Sequence, residues 1–508
     1  MLAETESVAL VGTEAHLVEV EVDIGTGIPK LSIVGLPAKS VTEADQRVRS
    51  ALASMGQKWP QQRIVANLAP GGLRKEGTHF DLPIALGILA ALGRIAPDAT
   101  RGWVVLGELA LDGSLRPVRG VLAAAIRARA EGRRGLICPA VNASEAVLAG
   151  DLQVVPASTL KECVAFFQGK WVPPQVEPAP PSEPAPGPDM SEVRGHPNAK
   201  RALEIAAAGG HNVMLIGPPG SGKTMLAQRL PGILPAMSLD EALEVTQVYS
   251  VAGLLQGQAR LVTDRPFRSP HQHVSLAGLI GGGSGLPRPG EVSLAHHGVL
   301  FLDEITLFRR EVLETLRGPI EEGLVRIARS AGVVSYPCRF SLLAAMNPCP
   351  CGYEGDEKRE CSCSDMQLRN YANSISGPLL DRFDIQVQMC RLTKQELLGA
   401  PEGESSTTVR ARVEQARDRQ AERYGSRLVT NACAVKASLD AGVDLSGAAR
   451  ALLGEAIDTL CLTGRGLVRV LRLSRTIADL AGDPEVTEGH IAEALLLRLS
   501  RTGTEVAA

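Results

Sequence analysis

Two stretches of this chain hold residue types that can manage a phosphate. The first is GPPGSGKT, comprising Gly217, Pro218, Pro219, Gly220, Ser221, Gly222, Lys223 and Thr224. Glycines at these positions let backbone N–H groups turn inward around phosphate oxygens. Lys223 would reach the β- and γ-phosphates, and Thr224 would set its hydroxyl on Mg²⁺. The second stretch is GVLFLDE, an apolar run that ends in Asp303 and Glu304. Asp303 would hold Mg²⁺, mostly through water, and Glu304 would orient and polarise an attacking water. A third run, LLAAMN, ends in Asn347. A polar group at that tip can touch a γ-phosphate or the water; the alternative is a simple Asn-Pro turn. Together these residues predict binding and hydrolysis of a nucleoside triphosphate with Mg²⁺.

Directly after Asn347 come Cys349, Cys351, Cys361 and Cys363, two C-x-C pairs within residues 347–365. Four thiolates suit tetrahedral Zn²⁺ with no open position, which makes such a site structural. Redox switching and unligated thiols are the other readings of the same spacing. The EGDEKRE between the pairs reads as a solvated loop tip. Cys138, Cys163, Cys390 and Cys461 read as small core residues.

The elements that must position these groups follow from the local patterns. HNVMLIG before the glycine loop is a buried strand, and MLAQRL after it is a helix. With GVLFLDE and FSLLAAMN it predicts a parallel α/β sheet. From about 391 onward the pattern is almost entirely helical. Residues 172–188, VPPQVEPAPPSEPAPGP, are dense in proline and predict a semi-rigid spacer. Before the spacer lies an α+β domain: VALVGTEAHLVEVEVDIG reads as a strand pair, and VTEADQRVRSALASMG as a helix capped by Thr42 or Ser40. FDLPIALGILAALG and VLAAAIRARAEG are further helices.

A chain of 508 residues requires several domains. Its net charge of -3 supplies no global field to attract nucleic acid, so any such contact rests on local basic groups. No apolar run reaches membrane-spanning length, and the acidic N-terminus lacks the pattern of a secretory signal. The expected location is the cytoplasm, where close cysteines read as metal or redox sites.

RALEIAAAGGHNVMLIGPPGSGKT, RPFRSPHQHVSLAGLIGGGSGLPRPGEVSLAHHGVLFLDE, AAMNPCPCG and SGPLLDRFDI resemble the signatures of AAA+ ATPases of the magnesium-chelatase-like branch, and within it the YifB/ComM group. The resemblance runs over nearly the whole chain. It implies a multidomain α/β protein with an AAA+ core at 189–390 and a helical lid at 391–508. It implies that Arg382 is an arginine finger acting on the ATP of a neighbouring subunit, hence a homo-hexameric ring. A pairing of Arg382 with Asp381 or Asp384 is the alternative. The resemblance places a second sensor arginine at Arg465 or, next, at Arg469, four residues apart on one helix face. It places an insertion near LAGLIGGGSGLPRPGEV and a hairpin within GLVRIARSAGVVSYPC, whose Arg326 and Arg329 would meet DNA phosphates.

Residues within 1–171 resemble the Lon-protease-like domain of the ribosomal S5 type. His79 stands where that family has its nucleophilic serine, and Leu122 where it has its lysine. A Ser–Lys dyad needs both groups, so no peptidase activity is expected. Arg63, Arg74 and Lys75 are candidate basic contacts. The function the resemblance implies is an ATP-driven DNA motor, a helicase promoting branch migration in natural transformation and recombination. The alternatives are a magnesium-chelatase-like motor and a protein-remodelling ATPase, each acting on a protein partner.

Overall fold

The computed structural model describes residues 2–96, 98–177, 187–255, 260–283, 287–329, 332–356, 358–394, 396, 403–434 and 443–498. Residues 178–186 of the Pro-rich spacer lie outside them. So do residues 284–286 of the glycine-rich insertion, residues 330–331 of the expected hairpin, and parts of the expected lid at 397–402, 435–442 and 499–508.

The N-terminal part supplies nine strands: β1 (Leu2–Val11), β2 (Glu14–Gly25), β3 (Leu31–Val34), β4 (Arg63–Ala69), β5 (Trp103–Val105), β6 (Glu108–Leu109), β7 (Leu115–Arg116), β8 (Gly135–Pro139) and β9 (Gln153–Ala157). Seven of them form one mixed sheet in the order β3-β4-β2-β1-β5-β8-β9. β2 shows why a strand forms here. Val18, Val20 and Val22 point into the core while Glu19, Glu21 and Asp23 alternate away from it. The sheet's two faces carry separate apolar clusters. One is built with the helices Ala44–Ser54 and Asp81–Ala91, the other with Val121–Ala130. Asp81–Ala91 is buried along its whole length, as a helix apolar all round must be.

Three expectations, two of them for this part and one for the chain's cysteines, need correction. Neither Ser40 nor Thr42 caps the helix Ala44–Ser54. Thr42 donates back to Lys39 O, Ser40 Oγ accepts from Gly77 N, and Glu43 sits at the cap without a side-chain bond. Lys75 is fully buried and donates to Pro70 O, so it offers nothing to a ligand on the surface. Of the four cysteines read as core residues, Cys138 and Cys163 are buried, but Cys390 and Cys461 are exposed. A lone cysteine carries no periodicity from which burial can be read.

The second sheet uses β10 (Val213–Ile216), β11 (Phe267–Arg268), β14 (Val299–Leu302), β17 (Ser341–Met346) and β18 (Ile385–Gln388). All neighbours are parallel, in the order β11-β14-β17-β10-β18. β10, β14 and most of β17 are continuous buried apolar runs, because helices cover both faces of such a sheet. Two short ribbons project from it. β12 (Gly281–Gly282) pairs with β13 (Arg288–Pro289), and β15 (Leu324–Arg329) pairs with β16 (Gly332–Pro337). They pack on each other, since Tyr336 on β16 is buried and donates to Pro287 O at 2.5 Å.

The C-terminal helices Ser406–Tyr424, Gly447–Thr459, Gly464–Ala481 and Glu488–Leu496 share one apolar cluster with β10 and the helix Pro197–Gly209. The N-terminal sheet joins the second one through the helix Leu239–Ala252. Its Ser250 donates to the buried Glu145, and its Gln247 donates to Thr13 O at 2.6 Å. At the β1–β2 turn, Gly12 has φ +68°, and a Cβ there would lie 2.4 Å from Ser335 O on β16. Only glycine satisfies both demands. No helix among the described residues is long and apolar enough to cross a membrane.

Candidate nucleotide site and its neighbours

In an open parallel sheet, ligands collect at the carboxyl ends of the strands. Here β17 is inserted between β10 and β14, with Ile216 paired to Met346 and Leu302 to Ala344. That order brings three strand ends together: the glycine loop after β10, Asn347 after β17, and Asp303 and Glu304 after β14.

The loop fits a phosphate on its own geometry. Gly220 and Gly222 have φ +78° and +85°, left-handed conformations open to glycine and of the kind found where successive N–H groups converge on an anion. Gly217 has no space for a side chain, since a Cβ would lie 2.5 Å from Met389 O. Ser221 Oγ is buried without a hydrogen-bond partner among the described residues. Lys223 is buried, and its ammonium donates to Gly217 O at 2.6 Å, Pro218 O at 3.0 Å and Asn347 Oδ1 at 3.2 Å. Burial pulls its pKa down, against the pull of Asp303 and Glu304. A phosphate oxygen is a stronger partner than these neutral acceptors.

Thr224 Oγ1 donates to Asp303 Oδ2 at 2.7 Å, so the two groups that would hold Mg²⁺ are already adjacent. The Glu304 N–H donates to Asp303 Oδ1 at 3.0 Å. Glu304 is exposed and sits at φ 50°, ψ 51°, a left-handed conformation that few residues other than glycine adopt. His196 (φ 54°) stands beside the loop; a Cβ on Gly222 would lie 4.0 Å from its Nε2. Sequence reasoning missed it, although the His-Pro step before the helix Pro197–Gly209 marks a break in the chain. A separate cavity of about 730 Å³, lined by Arg194, Lys200, Glu204, Glu404 and Arg412, contains none of these loop or acid residues.

The expected arginines are placed elsewhere. Arg382 lies just before β18, beside the start of β10, and so at the opposite end of the sheet from the glycine loop. Four strand residues span roughly 13 Å. It pairs with Glu321 and donates to Pro378 O at 3.0 Å; it pairs with neither Asp381 nor Asp384. Arg469 takes those two aspartates, at 3.6 and 3.9 Å, and so sits at the same end of the sheet. Arg465, one helical turn away, is exposed and makes no hydrogen bond or ion pair among the described residues. Arg326 is exposed on β15 and pairs with Glu322 at 2.7 Å, while Arg329 is exposed at the end of β15, opposite Gly332 on β16. Three residues apart on a strand, the two arginines face opposite sides of the ribbon.

Cys349, Cys351, Cys361 and Cys363 meet in one cluster, with sulfur–sulfur distances of 3.3, 3.5 and 3.6 Å among the first three. Four thiolates around Zn²⁺ at about 2.3 Å would stand about 3.8 Å apart. The donor set and spacing therefore fit the ion. Burial pushes the Cys351 thiol up, but N–H groups at Ser362 and Tyr353 and the neighbouring thiols outweigh it and bring it to about 6. The intervening loop is not wholly solvated as expected, because Asp356 is tucked under Arg391 at 3.0 Å and caps the N–H groups of Lys358 and Arg359. The cluster leans on the glycine loop: a Cβ on Gly352 would lie 2.6 Å from Pro219 Cδ.

A second cluster, Glu244, His296 and His297, is a hydrogen-bonded clasp. His296 Nδ1 accepts the Arg339 N–H at 3.0 Å, which assigns its proton to Nε2, 2.9 Å from Glu244. A metal-ligating histidine uses its free nitrogen the other way, as a donor.

In the N-terminal part, His79 is buried with Nε2 against Val8 O at 2.8 Å, and burial lowers its pKa to about 4. Leu122 is fully buried.

Comparison with known proteins agrees over the whole chain. The family model "Magnesium chelatase, subunit ChlI" matches residues 189–397, its companion "Subunit ChlI of Mg-chelatase" matches 20–142, and "Magnesium chelatase, subunit ChlI C-terminal" matches 403–498. An uncharacterized protein of Mycobacterium tuberculosis is 42% identical, with 98% of both chains covered. Competence protein ComM of Haemophilus influenzae is 42% identical, with 97% of both covered. The uncharacterized protein YifB of Escherichia coli is 42% identical, with 96% of both covered.

Proposed function

The chain belongs to the magnesium-chelatase-like AAA+ family, in the group that includes ComM and YifB, and from that premise we propose that it is an ATP-driven DNA motor. The observation that carries the ATPase reading is the convergence of Lys223, Thr224, Asp303 and Asn347 at three adjacent strand ends. When bound, MgATP supplies the reactive phosphoanhydride and a counter-ion for its charge. Lys223 and the loop N–H groups hold the phosphates, Thr224 and Asp303 hold the ion, and Glu304 orients the attacking water. Asn347 fixes the γ-phosphate end.

We read residues 1–171 as a Lon-like domain without peptidase chemistry, since His79 and Leu122 are buried where a nucleophile and base would be needed. Residues 172–188 are the linker, 189–390 the ATPase core and 391–508 the lid. The position of Arg382, far from its own glycine loop, favours action on a neighbouring subunit and therefore a ring, which we take to be a homo-hexamer. Arg465 is free to serve as the second sensor when the lid closes; Arg469 would first have to leave Asp381 and Asp384. The β15–β16 ribbon offers Arg329 and Arg326 to DNA phosphates, and the four cysteines hold structural Zn²⁺.

The competence name of the Haemophilus relative favours a competence-related role, and the family resemblance carries that reading to branch migration and integration of incoming DNA. The test is ATP hydrolysis with and without DNA, with Glu304→Gln as control. DNA-stimulated turnover supports the reading, and DNA-indifferent turnover contradicts it.

A further inference from the structure

Past the ends of β14 and β17, no backbone hydrogen bond among the described residues ties the turn that carries Glu304 to Asn347, whereas the Gly217 N–H still reaches Met346 O at 3.2 Å. The last ladder pairs are Ile216 with Met346 and Leu302 with Ala344. Something else must fix the turn that carries Glu304 relative to Asn347. One side chain bridges them. The Tyr371 phenol accepts from Thr306 Oγ1 at 3.1 Å and donates to Asn347 O at 3.1 Å. Thr306 lies in the 3₁₀ turn Ile305–Leu307, immediately after Glu304.

We propose that Tyr371 is a positioning residue that locks the Glu304 turn to Asn347, and through Asn347 to Lys223. The linkage is continuous. Lys223 donates to Asn347 Oδ1, Asn347 O accepts from Tyr371, and Tyr371 accepts from Thr306. Tyr371 is itself held from behind. It sits on the helix Asp365–Ala372, whose start is fixed by a capping box between Ser364 and Gln367, one residue past Cys363. The cysteine cluster before that helix rests on Pro219 of the glycine loop. Burial pushes the Tyr371 pKa up, so the phenol keeps the proton it donates. Nothing in the sequence around YANSI marks this role.

This inference rests on the ATPase reading, and one assay separates the two. Steady-state ATP hydrolysis, ATP binding and thermal melting are measured for the full chain, for Tyr371→Phe, for Thr306→Val and for the double variant. Phenylalanine keeps the ring and its packing and removes only the hydroxyl. The expected result is a roughly tenfold fall in kcat for Tyr371→Phe, with KM and ATP affinity within about twofold of the parent and melting unchanged. Thr306→Val should fall in the same direction. The double variant should be no worse than Tyr371→Phe, because both substitutions cut one bridge. An active parent with unchanged kcat in Tyr371→Phe, or strictly additive losses, overturns the positioning role and leaves the ATPase reading intact. A parent that hydrolyses no ATP overturns both.

Discussion

Thr224 Oγ1 and Asp303 Oδ2 stand 2.7 Å apart, although 79 residues separate them in the chain. Thr224 lies in the first turn of the helix after β10 and Asp303 directly follows β14, with β17 lying between those strands. On the proposed reading the pair supplies two oxygen donors of the kind a hard divalent cation takes. Thr224→Val and Asp303→Asn should each reduce turnover and raise the Mg²⁺ concentration needed for half-maximal rate. Titration of rate against Mg²⁺ checks this, and an unshifted midpoint in both variants contradicts the pairing's role.

Glu304 is exposed, and its backbone is held in a left-handed conformation beside that pair. Glu304→Gln should preserve ATP binding while lowering kcat by roughly a hundredfold or more, the scale of a lost base or water-orienting group. Nucleotide affinity and single-turnover rate, measured on the same preparation, separate the two effects.

If Arg382 acts across a subunit interface, Arg382→Ala should abolish hydrolysis in a pure preparation without lowering ATP affinity. Mixing it with Glu304→Gln should recover activity, because sites that pair an intact Glu304 with an intact neighbouring Arg382 form again. Mixtures that stay inactive at every ratio contradict action in trans.

Elemental analysis of protein purified without added metal should give about one Zn²⁺ per chain, lost in Cys351→Ser. Because Gly352 packs on Pro219, loss of the ion should also lower ATP turnover. A chain with no bound zinc and unchanged activity in Cys351→Ser contradicts the structural-metal reading.

His79 is neutral in the fold because burial holds its pKa at about 4 against an ordinary 6.5. Below 6.5 the unfolded chain takes up a proton that the folded chain refuses. Stability from this group is therefore present above pH 6.5 and falls as pH drops toward 4, by about 3 kcal/mol at most. His79→Gln should flatten that acid limb in urea unfolding compared between pH 7.5 and pH 5. An identical limb in parent and variant contradicts it.

How much of this was legible in the sequence depended on whether the signal was local. The glycine loop, with a buried strand before it and a helix after it, is a contiguous pattern, and so is the apolar run ending in Asp303 and Glu304. The two C-x-C pairs close over a nine-residue loop, and their clustering also follows from short-range spacing. Tyr371 could not be read, because its partners Thr306 and Asn347 meet it only after three strands align. The burial of Lys75 and the exposure of Cys390 and Cys461 depend on tertiary packing that residue type alone does not fix. Arg469 shares a helix face with Arg465, as the spacing required, but which aspartates it meets is set by where the helix Gly464–Ala481 docks on the second sheet.

On the proposed function, ATP hydrolysis at this site is coupled to DNA. That coupling is tested most directly by hydrolysis at fixed salt with single-stranded, duplex and four-way-junction DNA, with Glu304→Gln as control. The expected result is strong stimulation that is absent in the variant and weakens as salt is added, since phosphate contacts release counterions. Arg329→Ala should lessen that salt dependence. A flat response to every DNA, with basal hydrolysis intact, would contradict the claim.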